Sequence, residues 1–189
     1  MPPPKVVLAS RSPQRRAILA ALGLDLEVAD PAIEELTEGD PHELVLDNAR
    51  WKAAAVAASA KPGTVVIGGD TEVVVDGRVL GQPRDEAEAR SHLELLSGRD
   101  HEVLGGLALL GGGEPRDGVE TSIVTFRELE PPLLDAYLAS GEWEGRSGSY
   151  AIQGLGSALV AAVRGDVSNV IGLPVGLLLR LAPELFGSG

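Results

Sequence analysis

Cysteine is absent from this 189-residue chain, which excludes thiol nucleophiles, disulfides and zinc-thiolate centres and fits a cytoplasmic protein. Histidine is scarce: His42, His92 and His101 show no metal-ligand spacing, and His92 shares a helical face with Ala89, Leu93 and Leu96, so histidine chemistry is not expected. Aromatic residues make up 3%, too few for base-stacking platforms. Positive charge is short as well. Against 28 Asp and Glu there are 16 Lys and Arg, and a net charge of −12 argues against a general nucleic-acid binder, so any anionic ligand must find a local basic site. No apolar run reaches membrane-spanning length, and Met1-Pro2-Pro3-Pro4-Lys5 is too short and proline-rich for a signal peptide. A soluble protein with no membrane or nucleic-acid partner is expected. The length suits one sizeable α/β domain without requiring a second, and there is no repeat, heptad or linker.

The most informative stretch is Thr64 to Pro83, TVVIGGDTEVVVDGRVLGQP. Val65 to Ile67 and Val73 to Val75 are β-branched, which predicts one long strand or two, and Asp76-Gly77 predicts a hairpin turn into a return strand at Val79-Leu80. A carboxylate between buried apolar runs is costly unless a cation, a metal or hydrogen-bond donors compensate it, so Asp70 requires an explanation. Gly68 and Gly69 would admit a ligand or another backbone at close range. Residue pattern alone leaves two readings open: a functional carboxylate, or a bulge with Asp70 capping a loop.

Upstream, Lys5 to Ala9 reads as a strand leading to Ser12 as helix N-cap, Pro13 in the first turn and Gly23 as the stop, with Ile18, Leu19 and Leu22 facing a core. Arg11, Arg15 and Arg16 crowd the positive end of that helix, either as an anion site or as solvated side chains. Leu24 to Val28 predicts a second strand, and Asp30 to Gly39 an acidic loop containing Glu34 and Glu35. Asp40, Pro41 and Glu43 open another helix, on which Lys52 shares a stripe with Val45, Ala49 and Val56; it either meets an anionic partner or snorkels at the edge. Downstream the pattern predicts a helix from Asp85 to Leu96, strands at 101–110 and 119–129 joined by the turn-forming loop 111–118, a helix at 131–138, a strand at 157–163 and a last helix at 174–181.

Taken together, Leu8-Ala9-Ser10-Arg11-Ser12-Pro13-Gln14-Arg15-Arg16, Gly69-Asp70-Thr71, Leu96-Ser97-Gly98-Arg99, Thr125-Phe126-Arg127, Tyr150-Ala151-Ile152-Gln153-Gly154 and Asn169-Val170-Ile171-Gly172-Leu173-Pro174 resemble the Maf family in order and over nearly the whole chain. That family comprises nucleoside triphosphate pyrophosphatases, also called septum formation inhibitors. The resemblance implies a single α/β domain over residues 1–189, with 1–4 and 186–189 frayed. Its fold would be a mixed twisted sheet with flanking helices and two lobes around a cleft, similar to the inosine triphosphate pyrophosphatases, commonly as a homodimer. It further implies that Asp70 is the proton acceptor for water attack on the α-phosphorus, that Glu35 and Asp70 hold Mg²⁺ or Mn²⁺, and that Ser10, Arg15 and Lys52 cradle the phosphates.

Thr71 and Gln153 match the subgroup acting on dTTP and UTP, and a glutamine amide can both donate to a uracil carbonyl and accept from the ring N–H. Three positions depart from the family pattern. Gln14 replaces the first of the usual arginine pair, a position that contributes to substrate choice. Gln82 stands where the family has lysine, and losing one such phosphate contact commonly costs on the order of 2 to 4 kcal/mol of transition-state stabilisation. Arg84 or Arg11 is the expected compensation, and Glu72, usually aliphatic, is expected to face solvent. The rival readings are a nucleotide-binding regulator of cell division with weak catalysis, and the same reaction with another base preference.

Overall fold

The apolar runs flanking Asp70 form one strand. In the computed structural model, which describes residues 4–187, β3 runs unbroken over Val65–Val75 and pairs antiparallel with β5 (Asp100–Leu110) in constant register, Asp70 opposite Gly106. A bulge at Asp70 is thereby excluded. The other edge of β3 is divided. Parallel β1 (Val6–Ala9) covers Val65 to Gly68 and the hairpin strand β4 (Arg78–Val79) covers Val74 and Val75, leaving Gly69 to Val73 without a strand neighbour on that side. With β2 (Leu26–Ala29), β6 (Arg116–Phe126) and β7 (Val160–Arg164), the mixed seven-stranded sheet has the order β2-β1-β3-β5-β6-β7, β4 pairing with β3 off this path. The gap therefore lies beyond the carboxyl ends of the parallel pair β1 and β2, where open α/β sheets place their ligands.

Strand alternation sorts the side chains of β3 into two environments. Val66 and Val74 face α2 (Pro41–Ala57), packing with Ala49, Ala53 and Leu44. On the opposite face, Val65 and Ile67 join a core with Leu19 of α1 (Pro13–Ala21) and Leu177 and Leu178 of α6 (Val175–Leu181). Val73 and Val75 join another with Leu93 of α3 (Glu86–Leu96) and Tyr137 of α4 (Pro131–Ser140). Gly69 and Thr71 fall between these cores, so the sheet is continuous while its covering is split into two lobes with a cleft between them.

The helix starts follow their local chemistry: Ser12 accepts from the Arg15 N–H, Asp40 from His42 and Glu43, and Asp85 from Glu88. Three segments differ from expectation. β6 begins at Arg116 because Arg116 to Gly118 pair with Leu109 to Leu107, and that pairing overrides their turn composition. Residues 154–158 form a 3-10 turn and β7 starts at Val160, whereas a strand from 157 is expected. The five-residue helix α5 (Val167–Ile171), too short to show a period, follows Gly165-Asp166, Asp166 accepting from the Ser168 and Asn169 N–H groups. Phe186, expected to fray, closes a 3-10 turn and packs against the α1/α6 core. Of the remaining terminal positions expected to fray, 1–3 and 188–189 lie outside the described residues. Among the described residues no helix is long and apolar enough to cross a membrane.

Candidate functional site

The site begins with two glycines. A Cβ at Gly68 would lie 2.1 Å from the Ala49 carbonyl oxygen, and one at Gly106 would lie 2.1 Å from that of Val45. The α2 backbone thus rests directly on β3 and β5, which lowers its inner stripe onto Asp70. Lys52, 4% exposed, donates from Nζ to Asp70 Oδ1 at 2.8 Å, and the same ammonium lies 2.8 Å from Glu35 Oε2. Asn48, fully buried, donates to Asp70 Oδ2 at 3.0 Å. It also donates to the Leu36 carbonyl at 3.0 Å and accepts from the Leu36 N–H at 2.8 Å. One amide therefore orients the carboxylate and fastens the acidic loop that carries Glu35. Each Asp70 oxygen receives one donor and keeps lone-pair capacity for a proton or a cation. Lys52 is resolved as the inward, paired lysine. Asn48 carried no motif, yet its position three residues after Val45 and four before Lys52 put it on the same stripe.

The opposite wall is the start of α1. Arg15 is buried, donating from Nε to the Gly172 carbonyl at 2.8 Å, from Nη2 to Thr71 Oγ1 at 2.9 Å and from Nη1 to Ser10 Oγ at 3.4 Å. Thr71 donates in turn to Gly172 at 3.2 Å. Gly69 lies against this guanidinium, where a Cβ would sit at ordinary contact distance, 3.4 Å, from Arg15 Nε. Burial pushes the Arg15 pKa down, and the charges of Asp70, Glu35 and Glu72 oppose that shift. Of the three arginines at this helix end, Arg15 alone is buried; Arg11 stays 74% exposed, 3.8 Å from Asp30, and Arg16 is exposed.

Glu72 does not face solvent as expected. It lines the cleft, half-buried, and its Oε2 accepts from Ser147 Oγ, which itself accepts from the Val73 N–H at 2.9 Å and so fills part of the open edge of β3. Burial first, and then the charge of Asp70, push the Glu72 carboxyl up to about 7, against the Ser147 bond. Ser147 belongs to a loop that also supplies Arg146 to the cleft.

The site residues that the resemblance implies line one cleft: Ser10, Gln14, Arg15 and Glu35 with Lys52 and Asp70, and Thr71 with Gln82 and Gln153 around a volume of about 380 Å³. Gln153 and Gln82 sit exposed on its rim. The segment bearing Gln153 has no strand to hold it. Tyr137 Oη accepts from the Ala151 N–H at 3.1 Å, and Glu142 accepts from Leu155 and Gly156 at 2.9 and 3.0 Å. Arg84 does not compensate for Gln82: its side chain is tied to Glu88 at 2.9 Å and lies outside the cleft lining, because Glu88 comes one helical turn later on the same side. Among the described residues no set of three His, Cys, Asp or Glu forms a ready metal cage.

Comparison with known proteins gives the family. The Maf-like protein family model matches residues 5–185, and the chain belongs to that family. It is 43% identical over 177 residues, 93% of this chain and 94% of the relative, to the dTTP/UTP pyrophosphatase of Pyrococcus abyssi. It is 42% identical over 179 residues, 94% of this chain and 91% of the relative, to the protein of the same name from Deinococcus radiodurans. Among solved structures, the Ham1 protein of Staphylococcus aureus is similar over 65% of this chain and 71% of its own, with 18% identity and a TM-score of 0.47.

Proposed function

We propose that the chain hydrolyses nucleoside triphosphates, dTTP and UTP foremost, to the nucleoside monophosphate and pyrophosphate. The observation that carries this reading is the buried Asp70 carboxylate, aligned by Lys52 and Asn48 beside the open edge of β3 in a cleft that also holds a buried arginine. The presence of Thr71 and Gln153 in the lining of the cleft and the names of the relatives support the choice of base.

In the reaction, water attacks the α-phosphorus and gives its proton to Asp70, while the bond to the bridging oxygen breaks and pyrophosphate leaves with that electron pair. Lys52 places a point charge against the phosphate chain and keeps Asp70 oriented. Arg15 spends three of its five N–H groups on Gly172, Thr71 and Ser10, so it binds the chain with the remaining two from a fixed position. Ser10 supplies its hydroxyl at the same wall, and Gln14, Thr71 and Gln153 read the base.

Mg²⁺ or Mn²⁺ fits the donor set. Glu35 and Asp70 offer hard carboxylate oxygens around a single ammonium, and Mg²⁺ is usually bound by one or two carboxylates plus substrate phosphates. When bound, such a cation neutralises charge on the phosphate oxygens during displacement. We further propose one Maf-like domain over residues 1–189, a homodimer and a cytoplasmic location, supported by the family likeness and, for the last, the absence of cysteine.

The test is pyrophosphate release from dTTP, UTP, CTP, GTP and ATP with either metal, beside Asp70→Asn. Selective turnover of dTTP and UTP that falls by roughly 10³-fold or more in the variant is expected. Turnover of another base would overturn the roles given to Thr71 and Gln153, and nucleotide binding without turnover would indicate a regulator.

A further inference from the structure

We infer that Arg146, which neither the family motifs nor its own spacing single out, is a substrate-contacting residue that grips the phosphate chain from the rim of the cleft. The inference rests on the triphosphate reading above and adds the cation that Gln82 does not supply.

Ion pairing isolates this side chain. Of the 16 basic residues, those with no hydrogen bond or ion pair from their side chains, among the described residues, are Arg16, Lys61, Arg78, Arg127 and Arg146. The first four are exposed, whereas Arg146 is half-buried and lines the cleft. In a chain with 28 acidic residues, a half-buried guanidinium without a carboxylate is unusual, because such groups ordinarily acquire an anionic partner. The other cations of the cleft have partners in the chain: Lys52 pairs with Glu35 and Asp70, and Arg15 bonds Gly172, Thr71 and Ser10, while Arg11, its side chain largely in water, has only a 3.8 Å approach to Asp30.

The backbone that presents Arg146 is stitched to the catalytic strand. Ser147 next to it bonds the Glu72 carboxylate and the Val73 N–H, and the Gly148 N–H donates to the Gly81 carbonyl at 2.8 Å, beside Gln82. Gly148 is needed for this contact, since a Cβ there would lie 2.7 Å from Val73. Ser149 Oγ meets His92 Nδ1 at 2.8 Å. Arg146 is thus a guanidinium on a fixed loop at the cleft, between Gln82 and the base-facing segment, and its N–H fork suits phosphate oxygens.

The experiment combines turnover of dTTP with inhibition by two fragments, inorganic pyrophosphate and thymidine, in wild-type protein and Arg146→Ala. The expected result is a loss of roughly 10²-fold in kcat/KM, at least about tenfold weaker inhibition by pyrophosphate, unchanged inhibition by thymidine and an unchanged melting temperature. Arg146→Lys should recover most of the loss, and Gln82→Lys in the Arg146→Ala background part of it. Activity within twofold of wild type, or equal weakening of both fragments, would overturn the inference. If Arg146→Ala does not fold, Arg146→Lys against Arg146→Gln decides, equal behaviour of the two counting against it. If wild type hydrolyses no triphosphate, the pyrophosphatase reading fails, while calorimetric binding of pyrophosphate to wild type and Arg146→Gln still settles whether Arg146 holds phosphate.

Discussion

The cleft has a floor and a rim, and they are built on different principles. At the floor, Asp70, Lys52 and Asn48 are buried on regular elements whose backbones touch, so each side chain is placed by packing and its polar atoms are bonded to one another. At the rim, Gln153, Gln82 and Arg146 stand on loops held by a few side-chain to backbone bonds, with their own polar groups turned to the cleft or to solvent. Regular structure suits groups that must not move during chemistry; loops tolerate substitution and carry selectivity. Two of the departures from the family pattern, Gln14 and Gln82, line the cleft outside the buried floor, and the third, Glu72, lies on β3.

The largest effect is expected from breaking the floor. Lys52→Met leaves Glu35 and Asp70 without their shared cation, and loss of one partner in a buried pair costs about 3 to 5 kcal/mol of stability. Turnover should be abolished, and Mg²⁺ should raise the melting temperature of this variant more than that of wild type, since a divalent cation replaces the missing charge. Equal melting temperatures for variant and wild type would mean that the pair does not anchor the site.

A second contrast is in pH. Beneath the rim, His101 is buried against Phe126 and Tyr150, its Nε2 at 2.8 Å from the Tyr150 hydroxyl, and burial pushes its pKa down to about 4, with Asp100 opposing. The folded state binds this proton less well than the unfolded chain, so the stability from neutral His101 is complete above about pH 6.5 and is lost as pH falls toward 4, by on the order of 3 kcal/mol. Chemical denaturation at pH 7 and pH 4.5 should show this loss, and His101→Phe should flatten it.

Asn48→Ala tests whether loop and base are coupled at the floor. Removal of the amide frees the Leu36 N–H and one Asp70 oxygen at once, and a decrease of roughly 10²-fold in kcat/KM with about 1 to 3 kcal/mol of destabilisation is expected. A higher Mg²⁺ requirement should accompany it, because Glu35 is no longer held against Lys52. Unchanged metal dependence would separate Glu35 from the cation.

The smallest effect belongs to the rim. Glu142→Ala removes both acceptors from the turn that follows Gln153, so the preference for dTTP over CTP should narrow about tenfold with kcat little changed, and Glu142→Gln should retain part of the preference. A fall in kcat with selectivity intact would show that the rim serves the chemistry after all.

Much of the floor was legible in the chain. Asp70 stood out as a charge between β-branched runs, Lys52 as a charge on an apolar stripe, and Arg15 beside a helix N-cap, because each breaks a strong local period. The rim was less legible. Glu142, Ser147 and Arg146 sit in a polar glycine-rich stretch without a period, and the bonds that give them meaning join positions such as 142 with 155 and 147 with 72. Glu72 illustrates the limit: alternation placed it on a strand but not at an edge, and whether that edge was open depended on where β1 stopped and β4 began.

What the sequence by itself determined was the set of strands and capped helices and the residue types that must meet an anion, since hydrophobic periods and capping are local energetic preferences. Only the tertiary structure decided that Gly68 and Gly106 let α2 descend onto Asp70 and that Asn48 ties the acidic loop to it. It alone left Arg146 without a hydrogen-bonded or ion-paired partner among the described residues. Those outcomes depend on close approach between distant segments, where a single Cβ or one available carboxylate changes the result, and no local pattern encodes that distance.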